Sequence, residues 1–149
     1  MKHFFILLMA GGLLAACNQN DAKSNTAKKG PLTAENAIQD SVNYTTIQWL
    51  DSMHQDLGKV TQGQQVEVSW RFKNTGNKPL IVTNATASCG CTVAEKPEEP
   101  VAPGENGVIK AKFDSNGREN EQHKEVYVTA NTQGTTTHNL SFKVDVVKK

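Results

Sequence analysis

An all-β domain, folded as an immunoglobulin-like antiparallel β-sandwich of about seven strands behind a flexible tether, is what this sequence of 149 residues predicts. Three observations carry the prediction. Apolar and polar residues alternate with period two over most of the chain from about residue 45. Clusters of Gly, Pro, Asn, Asp and Ser divide that stretch into short runs, about 8–12 residues apart. No segment sustains the 3.6-residue period of an amphipathic helix.

Residues 1–16 read as a secretory signal peptide. Met1-Lys2-His3 is a short positive start, and FFILLMAGGLLAA, from Phe4 to Ala16, is an unbroken run of apolar and small residues. A spanning helix needs roughly 20 apolar residues, and this run stops short of that. Leu14-Ala15-Ala16-Cys17 resembles the lipobox of bacterial lipoproteins. The resemblance implies cleavage before Cys17, diacylation of its sulfur through a thioether and acylation of its new amino group. One acyl chain holds a protein marginally and two or more hold it stably. Cys17 is therefore the expected lipidation site, and a membrane the expected partner through it.

Residues 17–44 read as the tether. CNQNDAKSNTAKKGPLTAENAIQDS, from Cys17 to Ser41, is nearly empty of large apolar residues and cannot bury enough surface to offset its chain entropy. Asp40-Ser41-Val42 and Asp51-Ser52-Met53 resemble the short Asp-Ser/Thr-aliphatic sequon for O-glycosylation in Bacteroidetes, which makes Ser41 and Ser52 candidate glycosylation sites.

The sandwich occupies residues 45–149. In QVEVSWRFKN, residues 65–74, Val66, Val68, Trp70 and Phe72 point one way and Glu67, Ser69, Arg71 and Lys73 the other. Residues 108–113 bury Ile109, Ala111 and Phe113. Residues 124–130 bury Val126 and Val128 and turn Tyr127 outward, and 139–146 bury Leu140, Phe142, Val144 and Val146. Shorter strands are expected at 46–50, 80–85 and 92–95. Turn residues at 74–79, 102–107, 114–117 and 131–134 fall between them. The expected core is Trp70, Phe72, Val82, Ile109, Phe113, Val126, Val128, Leu140, Phe142 and Val144.

Five segments in order resemble a bacterial envelope family known as "domain of unknown function fifteen seventy-three". They are Asp56-Leu57-Gly58-Lys59-Val60, Phe72-Lys73-Asn74-Thr75-Gly76 with Pro79-Leu80, Ser88-Cys89-Gly90-Cys91-Thr92, Pro103-Gly104-Glu105, and the Val-x-Val-x-x-Asn of Val126 to Asn131. The resemblance spans about residues 45–146. It implies an immunoglobulin-like sandwich, often borne on a lipoprotein and common in Bacteroidetes. It brings no activity with it. Leu57 stands where the family usually has Phe.

Cys89 and Cys91 admit three readings. Side chains two apart in a strand share a face, but their Cβ atoms lie too far apart for a disulfide, which needs about 3.5–4.5 Å. A bridge requires a sharp bend at Gly90, which glycine tolerates and an oxidising export route favours. Closing so short a loop stabilises a fold weakly and leaves the bond easier to reduce than an ordinary structural bridge. A candidate disulfide, or a buried local role, leads. Two thiolates one residue apart also suit a soft ion such as Cu(I), the metal alternative for Cys89 and Cys91. Thiol redox is the third reading, without the βαβ context or cationic neighbour that usually supports it. His54, His123 and His138 each sit among polar residues and are expected on the surface.

Enzyme signatures are absent from the sequence: it has no G-x-S-x-G elbow, no phosphate-cradling glycine loop and no H-E-x-x-H. Glu95, Glu98 and Glu99 in EKPEEP read as a solvated, proline-stiffened loop. The formal charge is +1, and loss of Lys2 with the signal balances acids and bases, so there is no electrostatic case for nucleic acid. The expected protein is non-catalytic, without a cofactor, and lipid-anchored in the cell envelope, at the periplasmic face of the outer membrane. Its expected partner there is an unidentified envelope protein or glycan. Strand addition at an exposed sheet edge is the expected mode of binding.

Overall fold

The computed structural model describes residues 32–148; the signal segment, Cys17 and the tether up to residue 31 lie outside the described residues. A short 3-10 turn, Ser41–Asn43, precedes eight strands: β1 (Ile47–Trp49), β2 (His54–Thr61), β3 (Gln65–Asn74), β4 (Val82–Ala87), β5 (Thr92–Glu95), β6 (Asn106–Asp114), β7 (Asn120–Ala130) and β8 (Thr137–Val147). They form two four-stranded sheets, β1-β3-β6-β5 and β2-β8-β7-β4. Immunoglobulin-like sandwiches are built this way, two sheets sharing one apolar layer.

The alternation read in the sequence sets that layer. Val68, Trp70, Phe72 and Asn74 are the buried positions of β3, Ile109, Ala111 and Phe113 those of β6. All ten expected core residues are buried, joined by Leu80, Val101, Ala130 and Val146. Phe142 stands at the centre, its ring 5.9 Å from that of Phe113 and 6.4 Å from that of Trp70. Gly107 lies under the Phe72 ring, where an added Cβ would meet Cζ at 2.3 Å.

Three features differ from expectation. The sandwich is not wholly antiparallel, because β2 pairs with β8 in parallel, from His54↔Ser141 to Thr61↔Val147. A parallel pair needs a long connection, and here nearly the whole domain separates the two strands. Part of the stretch read as flexible tether is packed: within 32–44, Ala37 is fully buried and the Tyr44 hydroxyl donates to Ile38 O. Finally, His138 is buried, at 9% exposure. It sits two residues before Leu140 and so on the same inward face of β8.

The strand directions define two ends. Thr45, Asn74 and Asn131 gather at one, where Thr45 N–H donates to Asn131 O and Thr45 Oγ1 to Asn74 Oδ1. Leu32, Thr33 and Ala34 lie beside Ile81 and Val82 at the same end. From Val82 there, β4 runs to Ala87, paired with Val126 midway along β7, and the chain goes on through Cys89 to Cys91, which bonds Asp114 at the far end of β6.

Candidate functional site

Most motif residues hold the frame. The buried Asn74 amide donates to the carbonyls of Lys78 (2.7 Å) and Val101 (2.9 Å) and accepts the Gly76 N–H (3.1 Å). Asn131, equally buried, accepts the Ile81 N–H (2.7 Å) and donates to the carbonyls of Asn43 (2.8 Å) and Pro79 (3.0 Å). These amides satisfy turn groups that burial has taken from water. Gly104 turns at φ +83 and gives its N–H to Asn74 O (2.8 Å). Gly58, at φ +69, lies where the β2–β8 register shifts.

The remaining motif, Ser88 to Thr92, builds a corner. The chain leaves one sheet at β4 and enters the other at β5. Ser88 anchors the near side: its N–H donates to Glu125 O (2.9 Å) and its hydroxyl accepts the Glu125 N–H (3.1 Å). Cys91 anchors the far side, its carbonyl accepting the Asp114 N–H at 2.9 Å. Between them the Cys89 and Cys91 sulfurs are bonded at 2.07 Å, with Cα atoms 5.3 Å apart. Thr92 N–H closes the turn onto Cys89 O (3.2 Å), and Thr92 Oγ1 lies 3.6 Å from the Cys89 sulfur and 4.0 Å from that of Cys91. Gly90 forms an open tip: a Cβ there would meet no heavy atom within 4 Å.

An open edge starts at this corner. β5 borders its sheet with β6 as its one ladder partner. Antiparallel ladder bonds run through alternate residues, and Cys91 pairs with Asp114. The peptide groups of Val93 and Glu95 therefore face β6, and those of Thr92 and Ala94 face away from the sheet. Val93 is 61% exposed, the highest value among the large apolar side chains described. Beside it an open cleft of 340 Å³ is lined by Gln65, Gly90, Cys91, Lys112 and Phe113. Lys112 reaches Glu95 at 3.2 Å across the strand pair. Val93 as a candidate was missed in the sequence. Its signal was there, because it alternates with the buried Thr92.

The other edges are blunted by structure. β1 has three residues, β2 carries the bulge at Gly58, and the register of β4 shifts between Val82 and Asn84. Bulged edges resist pairing with another chain, and β1 offers fewer peptide groups than the four residues of β5.

The remaining sequence candidates are dispersed. Ser41 is exposed in the 3-10 turn capped by Asp40, whose carboxylate accepts the Val42 N–H (3.0 Å). Ser52 is exposed too, but its hydroxyl donates to His54 O (2.7 Å). The histidines have separate partners: His54 with Ser141 (2.7 Å), His123 with Glu121 (2.7 Å) and His138 with Thr132 (2.8 Å). Among the described residues no group of three or more His, Cys, Asp or Glu is arranged to hold a metal ion. Glu98 and Glu99 are exposed, on the rim of an open groove of 630 Å³ that also takes in Pro97, Val108 and Lys110.

The profile of the family described as "Protein of unknown function (DUF1573)" matches residues 47–146. The chain belongs to that family. The DUF1573 match covers every strand of the sandwich but the last residue of β8. No curated protein matches the sequence. A protein of unknown function from Porphyromonas gingivalis W83 superposes with a TM-score of 0.60 at 15% identity, over 68% of this chain and 47% of that one. The ASH/PapD-like domain 7 of human CEP192 superposes with a TM-score of 0.53 at 8% identity, over 80% and 93%. The secreted serine protease VesC from Vibrio cholerae gives 0.51 at 14%, over 68% and 23%. At such identities the likeness is one of fold, and this DUF1573 chain spans about half the length of the Porphyromonas protein and a quarter of VesC.

Proposed function

We propose that this DUF1573 protein is a non-catalytic binding module of the cell envelope, anchored by lipid at Cys17 on the periplasmic face of the outer membrane. It holds an extended segment of an envelope protein as an added strand on β5. The anchor rests on the lipobox-like Leu14 to Cys17. The binding mode rests on one observation: β5 is an unbulged edge whose Thr92 carbonyl and Ala94 N–H and carbonyl face out, with the 61%-exposed Val93 between them. Main-chain bonds would supply affinity, and alternate side chains about Val93 would supply selectivity.

Ala94→Pro tests this directly. It deletes an outward donor and leaves the β5–β6 bonds intact, which is the one setting where an edge strand tolerates proline. The variant should keep its unfolding temperature within a few degrees and lose photocrosslinking from position 93 to an envelope protein. Undiminished crosslinking to that protein, or crosslinking to glycan alone, would sink the strand-addition reading.

A further inference from the structure

We infer that the Cys89–Cys91 disulfide is a thiol–disulfide exchange site, opened by an external dithiol, and that its opening releases the β5 edge. The consequence for binding rests on the reading of β5 given above; the exchange chemistry does not.

Placement argues for this more than for a staple. A stabilising bridge joins distant parts of a chain, and this one spans a single residue, so it removes little freedom from the unfolded state. The core is assembled without it: Trp70, Phe113, Phe142 and Leu140 pack from three strands, none of them β5. What the ring does hold is the crossing from β4 to β5. Ser88 is tied to β7 on one side and Cys91 to β6 on the other. With the bond intact, the turn that starts β5 is fixed between those two anchors.

The sulfurs are also reachable. Both cysteines are half-buried, and the Gly90 tip has open space around it. Cys91 packs against the core and Cys89 does not, so an incoming thiolate reaches the Cys89 sulfur first. Exposed disulfides are the labile ones. In the first step the thiolate of the dithiol attacks the Cys89 sulfur. The S–S bond breaks, its electron pair stays on the Cys91 sulfur, and that thiolate takes up a proton. The second thiolate of the dithiol then attacks the mixed disulfide, leaving Cys89 as a thiol and the donor as a disulfide. Two electrons and two protons pass from the dithiol to the cysteine pair. Thr92 Oγ1, within 4.0 Å of both sulfurs, can donate to whichever leaves as thiolate.

The test uses the full-length, exported protein in detergent. It is equilibrated with reduced and oxidised glutathione, then with dithiothreitol, without denaturant. Alkylation followed by intact mass reads the state of the pair, and amide hydrogen exchange reads β5. The pair should equilibrate with glutathione while the protein stays folded. Exchange at Thr92, Val93 and Glu95, whose N–H groups bond the Cys89 turn or β6, should rise by about tenfold or more, with little change in β3 and β8. Thr92→Val should slow reduction by dithiothreitol several-fold and Thr92→Ser should restore it, which a purely structural role would not do. A bond that resists both reductants until urea unfolds the protein overturns the inference. So does reduction that leaves β5 exchange unchanged. Neither readout needs a partner, so the failure of Ala94→Pro to affect crosslinking would count against strand addition alone.

Discussion

Single side chains at the Asn131 end carry more of this fold than their size suggests. Replacing Asn131 by Ala strands the Ile81 N–H and the carbonyls of Asn43 and Pro79, three backbone groups its amide now satisfies. Each unpaired buried group costs about 1–3 kcal/mol, and partial rehydration of the turns trims the sum. Asn131→Ala should therefore lose about 3 kcal/mol, seen as a lower urea midpoint at unchanged slope. A loss below about 1 kcal/mol would mean that the turns are held by something else. His138 makes a second, pH-dependent case. Its ring lies buried against Trp49, with centroids 5.7 Å apart, and burial holds its pKa below the usual imidazole range. The native state thus resists a proton that the unfolded chain accepts at about pH 6.5. Stability is fully present above that pH and is lost as pH falls below it, because the unfolded state binds the proton first. Asp51 and Glu121, held low by Arg71 and by His123 respectively, add their own loss only in the carboxylate range. Urea midpoints at pH 7.5 and 5.5 should differ in the wild type, and His138→Gln should reduce that difference. Equal differences in both proteins would remove His138 from the account.

At the level of elements, the bulge in β2 decides how the strand is read and how it pairs. Its half-buried positions are Gln55, Leu57, Val60 and Thr61, so the alternation slips by one residue between Leu57 and Val60. That slip is the register shift at Gly58, which turns at φ +69 while its N–H bonds the Asp56 carboxylate at 3.0 Å. Nothing crowds a Cβ at Gly58, so Gly58→Ala should cost only the backbone term, about 1–2 kcal/mol. Thermal unfolding checks the size. A neutral substitution would show that the bulge relaxes. The same slip explains what was legible. β3, β6, β7 and β8 keep strict alternation and were readable from sequence, as was the core they bury. β2 breaks period two and showed only as a motif, and its parallel partner depends on topology that no local pattern encodes. His138 was misjudged because its polar neighbours in sequence face outward while it alone faces in. The cysteine pair was legible as a question: spacing posed the bend at Gly90, but the crossing between sheets in which the pair sits is a tertiary fact.

For the whole molecule, the two ends have different duties. The end at Asn131 receives the chain from residue 32, and the Cys-Gly-Cys corner with β5 lies at the other. The described chain therefore joins the sandwich at the first end, and the open edge of β5 begins near the other. The residues between Cys17 and Leu32 could span at most about 50 Å fully extended, which sets the greatest distance a lipid at Cys17 would allow between bilayer and sandwich. Anchor and fold should then be separable, since the first fully buried side chain after Cys17 among the described residues is Ala37. Cys17→Ala should move the protein from the membrane to the soluble fraction of the envelope and leave its unfolding temperature within about 2 °C, the shift expected when no packed group is touched. Crosslinking from position 93 should persist in the released protein but fall at low expression, because loss of the anchor dilutes the module relative to membrane-bound partners. A Cys17→Ala protein that still sediments with membranes would instead assign retention to the sandwich, and the β5 edge would be the first place to look for the contact.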